Sequence, residues 1–188
     1  MALNSMPIAL LTDVLNMQIY KGKSEITEGI TKLEALVFSL MEPYLDNGHH
    51  LFMDNFYNSV SLAKKLLMRK THCTGTLRSN RRGNPKTITN MKIKKGQHIW
   101  SRSGKVYVSK WKDKRDVLCI TTKYHPKIVN VSNRFNQMKQ KSEEIAKYNE
   151  YMSGIDRSDQ MCEKIHSIDR NGILYSMHKE QQIFFKFT

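Results

Sequence analysis

The chain has 188 residues, a formal net charge of +14 and 39% hydrophobic residues. This length is enough for one domain with a core of its own, and the composition argues against an intrinsically disordered chain. No apolar run approaches the length that spans a bilayer, so no membrane partner is expected.

The first predicted elements alternate between strand and helix. Apolar periodicity predicts a strand over 14–20 and a helix over 28–46, whose last turn is interrupted by Pro43. A short buried strand, 50–53, follows and ends at Asp54. Ser59 then predicts the N-cap of a second helix, with its apolar residues on the inner face and Lys64 and Lys65 outward.

A basic loop and several strands come next in the chain. Residues 72–77 read as a strand, 78–86 as a basic loop rich in turn residues, and 97–102, 105–111 and 116–122 as three more strands. Ser103-Gly104 predicts a tight hairpin between the first two of these. A further strand over 126–131, a polar linker over 133–141 and a helix over 142–152 complete the pattern.

The alternation of strands and helices predicts an α/β core. In open α/β sheets functional groups collect at the carboxyl ends of strands, and Asp54 is predicted at such an end. The alternative is that Asp54 and Asn55 only cap a turn, and periodicity alone favours this second interpretation.

Positive charge is concentrated in one region. Residues 64–115 contain 17 Lys or Arg and one acidic residue, whereas the rest of the chain has 14 basic and 16 acidic residues. A regional excess of this size favours binding of a polyanion, with nucleic acid as the leading candidate. A solvated face that keeps the protein soluble is the alternative.

Two further carboxylates, Asp156 and Asp159, lie about a hundred residues after Asp54. Acidic groups brought together from distant segments are what a magnesium-dependent phosphoryl-transfer site needs. On a helical turn the spacing of Asp156 and Asp159 would place both on one face, and helix-start charge is the alternative role. Structural zinc is not expected, because no Cys-x-x-Cys pair occurs, and the three separated cysteines suit buried thiols.

Four motifs occur in an order that closely resembles the piggyBac family of transposases and their domesticated relatives. They are Met53-Asp-Asn-Phe-Tyr-Asn-Ser-Val-Ser-Leu-Ala63, Gly75-Thr-Leu-Arg-Ser-Asn-Arg81 with Pro85, Lys110-Trp-Lys-Asp-Lys-Arg-Asp-Val117 and Tyr148-Asn-Glu-Tyr-Met-Ser-Gly-Ile-Asp-Arg-Ser-Asp-Gln160. The resemblance implies an α/β, ribonuclease-H-like DDE transposase core over 1–161, incomplete at both ends, with an inserted β-rich basic segment. Residues 162–188 diverge from the family and are expected to form a poorly ordered tail.

The same resemblance implies catalytic and metal-binding roles for Asp54, Asp156 and Asp159, with Mg²⁺ or Mn²⁺ as the cofactor. The family's first catalytic aspartate is matched by Ile8, and Asp13 is not expected to substitute for it. Strand cleavage is therefore expected to be severely impaired, and whether the chain is an enzyme stays open.

DNA is the expected partner and the nucleus the expected location. The side chains expected to contact DNA are Arg78, Arg81, Arg82, Lys86, Lys112, Lys114 and Arg115. Trp100 and Trp111 are candidates for stacking on bases, with core packing as the alternative. A homo-oligomer or a full-length transposase is a further candidate partner.

Three functional interpretations follow. The first is a transposase-derived DNA-binding protein without full catalysis. The second is an active transposase or nuclease completed by another subunit, and the third is a non-functional fragment of an element.

Overall fold

A computed structural model of the chain describes residues 29–132 and 136–152. The predicted strand over 14–20, the carboxylates Asp156 and Asp159 and the tail 162–188 lie outside the described residues. So do Ile8 and Asp13.

Helix α1 spans Lys32–Met41 and starts at a capping box that the sequence analysis did not identify. The Thr31 hydroxyl accepts a hydrogen bond from the Glu34 backbone N–H at 3.2 Å, and the Glu34 carboxylate accepts one from the Thr31 N–H at 3.1 Å. Lys65 of the second helix also binds Glu34, at 2.9 Å. A 3₁₀ turn, Glu42–Tyr44, follows at Pro43, where the helix was predicted to end or bend.

Strand β1 (His50–Met53), helix α2 (Val60–Met68) and strand β2 (His72–Thr76) form a β–α–β unit with parallel strands. Helix α2 begins at the predicted cap, because the Ser59 hydroxyl accepts a hydrogen bond from the Leu62 N–H at 3.0 Å. Its buried face packs on the sheet and carries Leu62, Ala63 and Leu66. The sequence therefore predicted this unit correctly.

Three antiparallel strands extend the sheet: β3 (His98–Ser103), β4 (Val106–Lys112) and β5 (Asp116–Thr121). The strand order is β1-β2-β5-β4-β3, with β5 antiparallel to β2. The hairpin turn lies at Gly104-Lys105, one residue later than predicted, because Ser103 pairs with Val106. Gly104 has a positive φ of 62°, which glycine adopts without steric cost.

Two short elements were not predicted. Helix α3 (Lys86–Thr89) follows Pro85 inside the segment that was assigned partly to the basic loop. The second is strand β7 (Met138–Ser142), which forms a separate two-stranded sheet with β6 (Ile128–Ser132), the strand predicted over 126–131. The prediction of a linker over 133–141 is therefore wrong for its last residues. Most of β7 is solvent-exposed, so its sequence lacks the apolar alternation that would have revealed it. Helix α4 then covers 143–152, as predicted.

Both faces of the sheet contribute buried residues to a core. One face carries Val106, Val108 and Ile120 and joins α1 and α2 in the main core. The other carries Trp111 and Cys119, which pack against Ile145 of α4. The thiols of Cys73 and Cys119 are buried and unpaired with each other, as expected, and burial raises the pKa of Cys73 to about 12.

A buried polar chain crosses the first three strands of the sheet. His50 Nε2 lies 2.9 Å from the Thr74 hydroxyl, which lies 2.7 Å from the Thr121 hydroxyl. Burial lowers the pKa of His50 to about 3, so the imidazole is neutral at physiological pH. In the part of the chain that the structure describes, no helix is long and apolar enough to cross a bilayer.

Candidate nucleic-acid interface around Asp54

The strand directions bring most of the predicted site residues to one end of the sheet. β1, β2 and β4 all end there, and β5 starts there. Asp54 follows β1, the loop containing Arg78, Arg81 and Arg82 follows β2, and the turn at 113–115 joins β4 to β5. Residues that are far apart in the chain thus share one edge of the core, which we call the Asp54 end.

Asp54 presents its carboxylate at the surface of this end. The Thr76 hydroxyl, at the end of β2, donates a hydrogen bond to Asp54 Oδ1 at 3.2 Å. The turn after β1 is closed by the backbone carbonyl of Asp54, which accepts from the N–H groups of Tyr57 and Asn58 at 3.2 and 3.3 Å. Because the backbone closes this turn, the carboxylate does not have to cap it and remains exposed to solvent.

Asn58 fixes the ends of β1 and β2 relative to each other. Its side-chain amide lies 2.8 Å from the carbonyl oxygen of Met53, 3.2 Å from that of Asp54 and 2.9 Å from that of Thr76. The side chain is almost fully buried, so these bonds are shielded from water. Asn58 therefore fixes the backbone positions of both Asp54 and Thr76.

Gly75 makes this close approach possible. Cβ atoms essentially never lie closer than 3.0 Å to a heavy atom of a residue that is not adjacent in the chain. A Cβ at Gly75 would lie much closer than this to both the Met53 carbonyl oxygen and Asn58 Nδ2. Only a residue without a side chain allows the parallel strands and the Asn58 amide to meet here.

Two of the arginines predicted to contact DNA instead bind the loop after Asp54 in this structure. The Arg81 guanidinium donates to the carbonyl oxygens of Asn58, at 3.2 Å, and of Phe56. Arg78 donates to the Asn55 side-chain oxygen at 2.9 Å and lies 5.0 Å from the centre of the Phe56 ring. Burial, with Arg78 nearby, lowers the pKa of Arg81. Both residues stabilise the loop, and a contact with DNA stays a prediction for them.

The basic residues of β4 and the following turn differ in how they are paired. Asp116 binds both Lys110 and Lys112, each at 3.0 Å. Lys110 is buried and also donates to the carbonyl oxygens of Thr89 and Met91, which fixes α3 beside the sheet. Lys114 and Arg115 are exposed in the turn, and among the described residues no carboxylate lies within ion-pair distance of either.

An open groove of about 480 Å³ lies between the 113–115 turn and α4. Trp111, Val117 and Ile145 form its apolar part, and Thr76 lies at its edge and binds Asp54. Lys114 and Arg115 line it on the turn side. Lys141, Tyr148 and Asn149 line it on the other side, with Asp113 as an acidic lining residue. The charged lining residues are thus mainly basic, and one lining residue, Thr76, binds the Asp54 carboxylate.

Helix α4, which forms one wall of this groove, is attached to the sheet by a buried carboxylate. Glu144 is fully buried and accepts hydrogen bonds from the Ser109 hydroxyl and from His98 Nε2, the latter at 3.1 Å. Burial by itself would raise the pKa of Glu144, but the bonds from His98 and Ser109 hold the pKa below its usual value. Glu144 is therefore ionised and sets the position of α4 on β3 and β4.

The predicted metal site can be compared with the described residues only in part. An exposed carboxylate at the end of a strand is a suitable oxygen ligand for Mg²⁺. Across 29–132 and 136–152, however, no three or more metal-binding side chains come together, and Asp156 and Asp159 lie outside these ranges. Asp54 is thus the one predicted ligand that the described residues supply.

The remaining predicted residues are also accounted for. Arg82 and Lys86 are exposed in the loop and at the start of α3. Trp111 is only 6% exposed and packs in the core, whereas Trp100 is 41% exposed. Core packing is therefore confirmed for Trp111, whereas stacking on bases stays a prediction for Trp100.

Sequence reasoning missed Asn58, Lys110 and Lys141. Asn58 lies in the motif Met53–Ala63, five residues after the last residue of β1. Its hydrogen bonds to three backbone carbonyls could not be predicted, because they depend on the pairing of β1 with β2. Lys110 sits in a strand that was predicted, with the buried residues Val108 and Val106 at alternating positions on its own face. That spacing was a usable signal that Lys110 points inward.

The chain has measurable similarity to known proteins. A family model described as "Transposase IS4" matches residues 4–186. The human PiggyBac transposable element-derived protein 3 and the human Chimeric ERCC6-PGBD3 protein are each 27% identical to this chain, over 85% of its length. The chain spans only 29% of the first relative and 16% of the second.

A similar solved structure is a piggyBac transposase in a synaptic complex with hairpin DNA, determined by cryo-EM. It superimposes with a TM-score of 0.63 at 27% sequence identity, over 77% of this chain and 30% of that chain. The match covers much of the fold described above.

Proposed function

Because the chain belongs to the transposase family, in its piggyBac branch, we propose that it is a transposase-derived DNA-binding protein that holds DNA in the groove at the Asp54 end. The observation that carries this proposal is the position of Lys114 and Arg115 on a groove whose edge residue, Thr76, binds Asp54. The relative determined in complex with hairpin DNA supports DNA as the ligand.

The charges of the groove suit a phosphate backbone. Lys114, Arg115 and Lys141 project from exposed or half-exposed positions, whereas Lys112 is paired with Asp116. Cations that are not neutralised by neighbouring carboxylates can displace counterions from DNA, which is the main source of sequence-independent affinity. We assign the phosphate contacts to Lys114, Arg115 and Lys141 first, with Arg82 and Lys86 as further contacts.

We propose that Asp54 retains the position of a transposase carboxylate in a ribonuclease-H-like core. Three observations support this proposal. The Asp54 side chain is exposed at the end of a strand, and it accepts a hydrogen bond from Thr76. Asn58 and Arg81 stabilise the loop to which Asp54 belongs. With Asp156 and Asp159 it would hold Mg²⁺ or Mn²⁺, which when bound supplies Lewis-acid stabilisation of a phosphoryl group. The family resemblance implies that Ile8 stands at the place of the first catalytic carboxylate, and on this basis we propose that cleavage by this chain alone is impaired.

The test is the salt dependence of affinity for double-stranded DNA. Replacing Lys114 and Arg115 together by Gln should weaken binding by roughly tenfold at 0.1 M salt and reduce the slope of log K against log salt by about 1.8, because each phosphate contact contributes about 0.9. Fluorescence anisotropy with a labelled duplex measures both quantities.

The matched control is Lys64→Gln with Lys70→Gln. These lysines are also exposed, on α2 and before the opposite end of β2, so the pair removes the same charge from another surface. It should leave the slope nearly unchanged. Equal losses in both double variants would show that net charge, rather than the groove, governs binding and would contradict the proposal.

A further inference from the structure

Three aromatic rings form a surface cluster away from the Asp54 end. The ring of Trp100 lies 5.8 Å from that of Tyr107 and 5.1 Å from that of His125, and the last two lie 5.4 Å apart, all in edge-to-face contact. Trp100 pairs with Ser109, and Tyr107 lies two residues before Ser109 on β4. The cluster is therefore ~10 to ~17 Å along the strand from Lys112, the last residue of β4. We call Trp100, Tyr107 and His125 the aromatic patch.

Core packing does not account for the aromatic patch. Trp111 projects from the same face of the sheet and is 6% exposed, because Ile145 of α4 packs over it. Trp100, in contrast, is 41% exposed, and its ring contacts are those with Tyr107 and His125. An exposed tryptophan that is held by two neighbouring rings is a fixed, flat apolar surface of about the size of one base.

The charge around the aromatic patch indicates the chemistry of a ligand. Residues 97–112 and 121–127 contain no acidic side chain. Arg102 pairs with Tyr107 in the strand register, and Arg102, Lys105 and Lys123 are all exposed. Aromatic rings bordered by cations bind single-stranded nucleic acid, because bases stack on the rings while the cations contact phosphates.

We propose that the aromatic patch stacks on an unpaired base of single-stranded DNA, with Trp100 as the stacking residue. This inference rests on the proposed DNA-binding function and adds a second contact that duplex DNA does not need. A base inside a duplex is already stacked on both sides, so the patch discriminates unpaired from paired DNA.

The chain contains only two tryptophans, which makes intrinsic fluorescence a direct reporter. Addition of a single-stranded oligonucleotide should quench the emission of Trp100. Trp100→Phe leaves Trp111, which lines the groove at the Asp54 end, as the sole tryptophan. The part of the quenching that comes from Trp100 should therefore disappear, whereas any change in Trp111 emission and most of the affinity should remain. Trp100→Leu, which removes the aromatic face, should weaken single-strand binding by about tenfold or more and duplex binding by less than twofold.

Three results would overturn the inference. Unchanged single-strand affinity in Trp100→Leu, at a melting temperature equal to that of the original chain, would remove the stacking role. Equal losses for single-stranded and duplex DNA would assign Trp100 to a general effect. Concentration-dependent protection of Trp100 from acrylamide without DNA would assign the patch to self-association.

The same measurements distinguish failure of the DNA-binding function from failure of the aromatic patch alone. If the unaltered chain bound neither duplex nor single strand, both proposals would fall. If duplex binding depended on Lys114 and Arg115 but single-strand binding did not depend on Trp100, only the aromatic patch would be reassigned.

Discussion

At the scale of single residues, the site depends on Gly75, which has no side chain, and on the buried side chain of Asn58. Gly75 lets the ends of β1 and β2 approach, and the Asn58 amide occupies the space above it. The motifs around Asp54 and Gly75 could be recognised in the sequence, but their contact could not be predicted. It arises from the parallel pairing of Met53 with Gly75, which no local pattern encodes.

We predict that Gly75→Ala lowers the free energy of unfolding by about 3 kcal/mol or more, because the new methyl group must displace a carbonyl or the buried Asn58 amide. Urea denaturation measures the change. Gly96→Ala is the matched control, since nothing lies within 4 Å of its Cβ and only its positive φ of 82° opposes the change. It should cost about 1 kcal/mol. A Gly75→Ala variant no less stable than Gly96→Ala would show that this close approach does not constrain the site.

At the scale of elements, helix α4 connects the groove to the sheet through Glu144. Its lowered pKa makes the sign of the pH effect definite. A carboxyl group whose pKa is lower in the folded than in the unfolded chain stabilises the fold at pH values above 4.5, its usual pKa. This stabilisation is lost as the pH falls through the lowered pKa of the folded chain.

We predict that Glu144→Gln lowers the free energy of unfolding at pH 7 by about 1–3 kcal/mol, because the bonds to His98 and Ser109 lose their charged partner. The difference between the two proteins should shrink as the pH is lowered from 5 towards 3. Glu150→Gln, which removes a surface pair with Lys147 on the same helix, is the control and should cost less than about 0.5 kcal/mol. A Glu144→Gln deficit that stays constant in acid would mean that the charge of Glu144 does not anchor α4.

Which elements could be predicted follows from how they are stabilised. The strands β1, β2, β4 and β5 and the helix α2 carry apolar periodicity or a cap residue, and the sequence located them within one or two residues. Helix α3 and strand β7 carry neither signal. They are held by Lys110 bonding to backbone carbonyls and by pairing with β6, which are contacts made across the fold.

At the scale of the whole molecule, the antiparallel insertion of β5 beside β2 creates the candidate interface. It returns the 113–115 turn, with the exposed Lys114 and Arg115, to the same end of the sheet as Asp54, which lies more than fifty residues earlier in the chain. Regional charge predicted that a polyanion would bind, but not where. The location follows from the strand order, which periodicity alone could not supply.

The most direct test of the central claim is to map where duplex DNA lies on the protein. A photo-crosslinker would be attached to a cysteine placed by Asn149→Cys, in the groove, or by Asn47→Cys, before the opposite end of β1. Cys162 would be replaced by Ser, so that the label reacts with the introduced cysteine. Cys73 and Cys119 can stay, because both are buried. Both asparagines are exposed, so the two labels are matched. We predict strong crosslinking from residue 149, lost when Lys114 and Arg115 are replaced by Gln, and little from residue 47. Crosslinking that is equal at both positions, or stronger at residue 47, would contradict a DNA-binding groove at the Asp54 end.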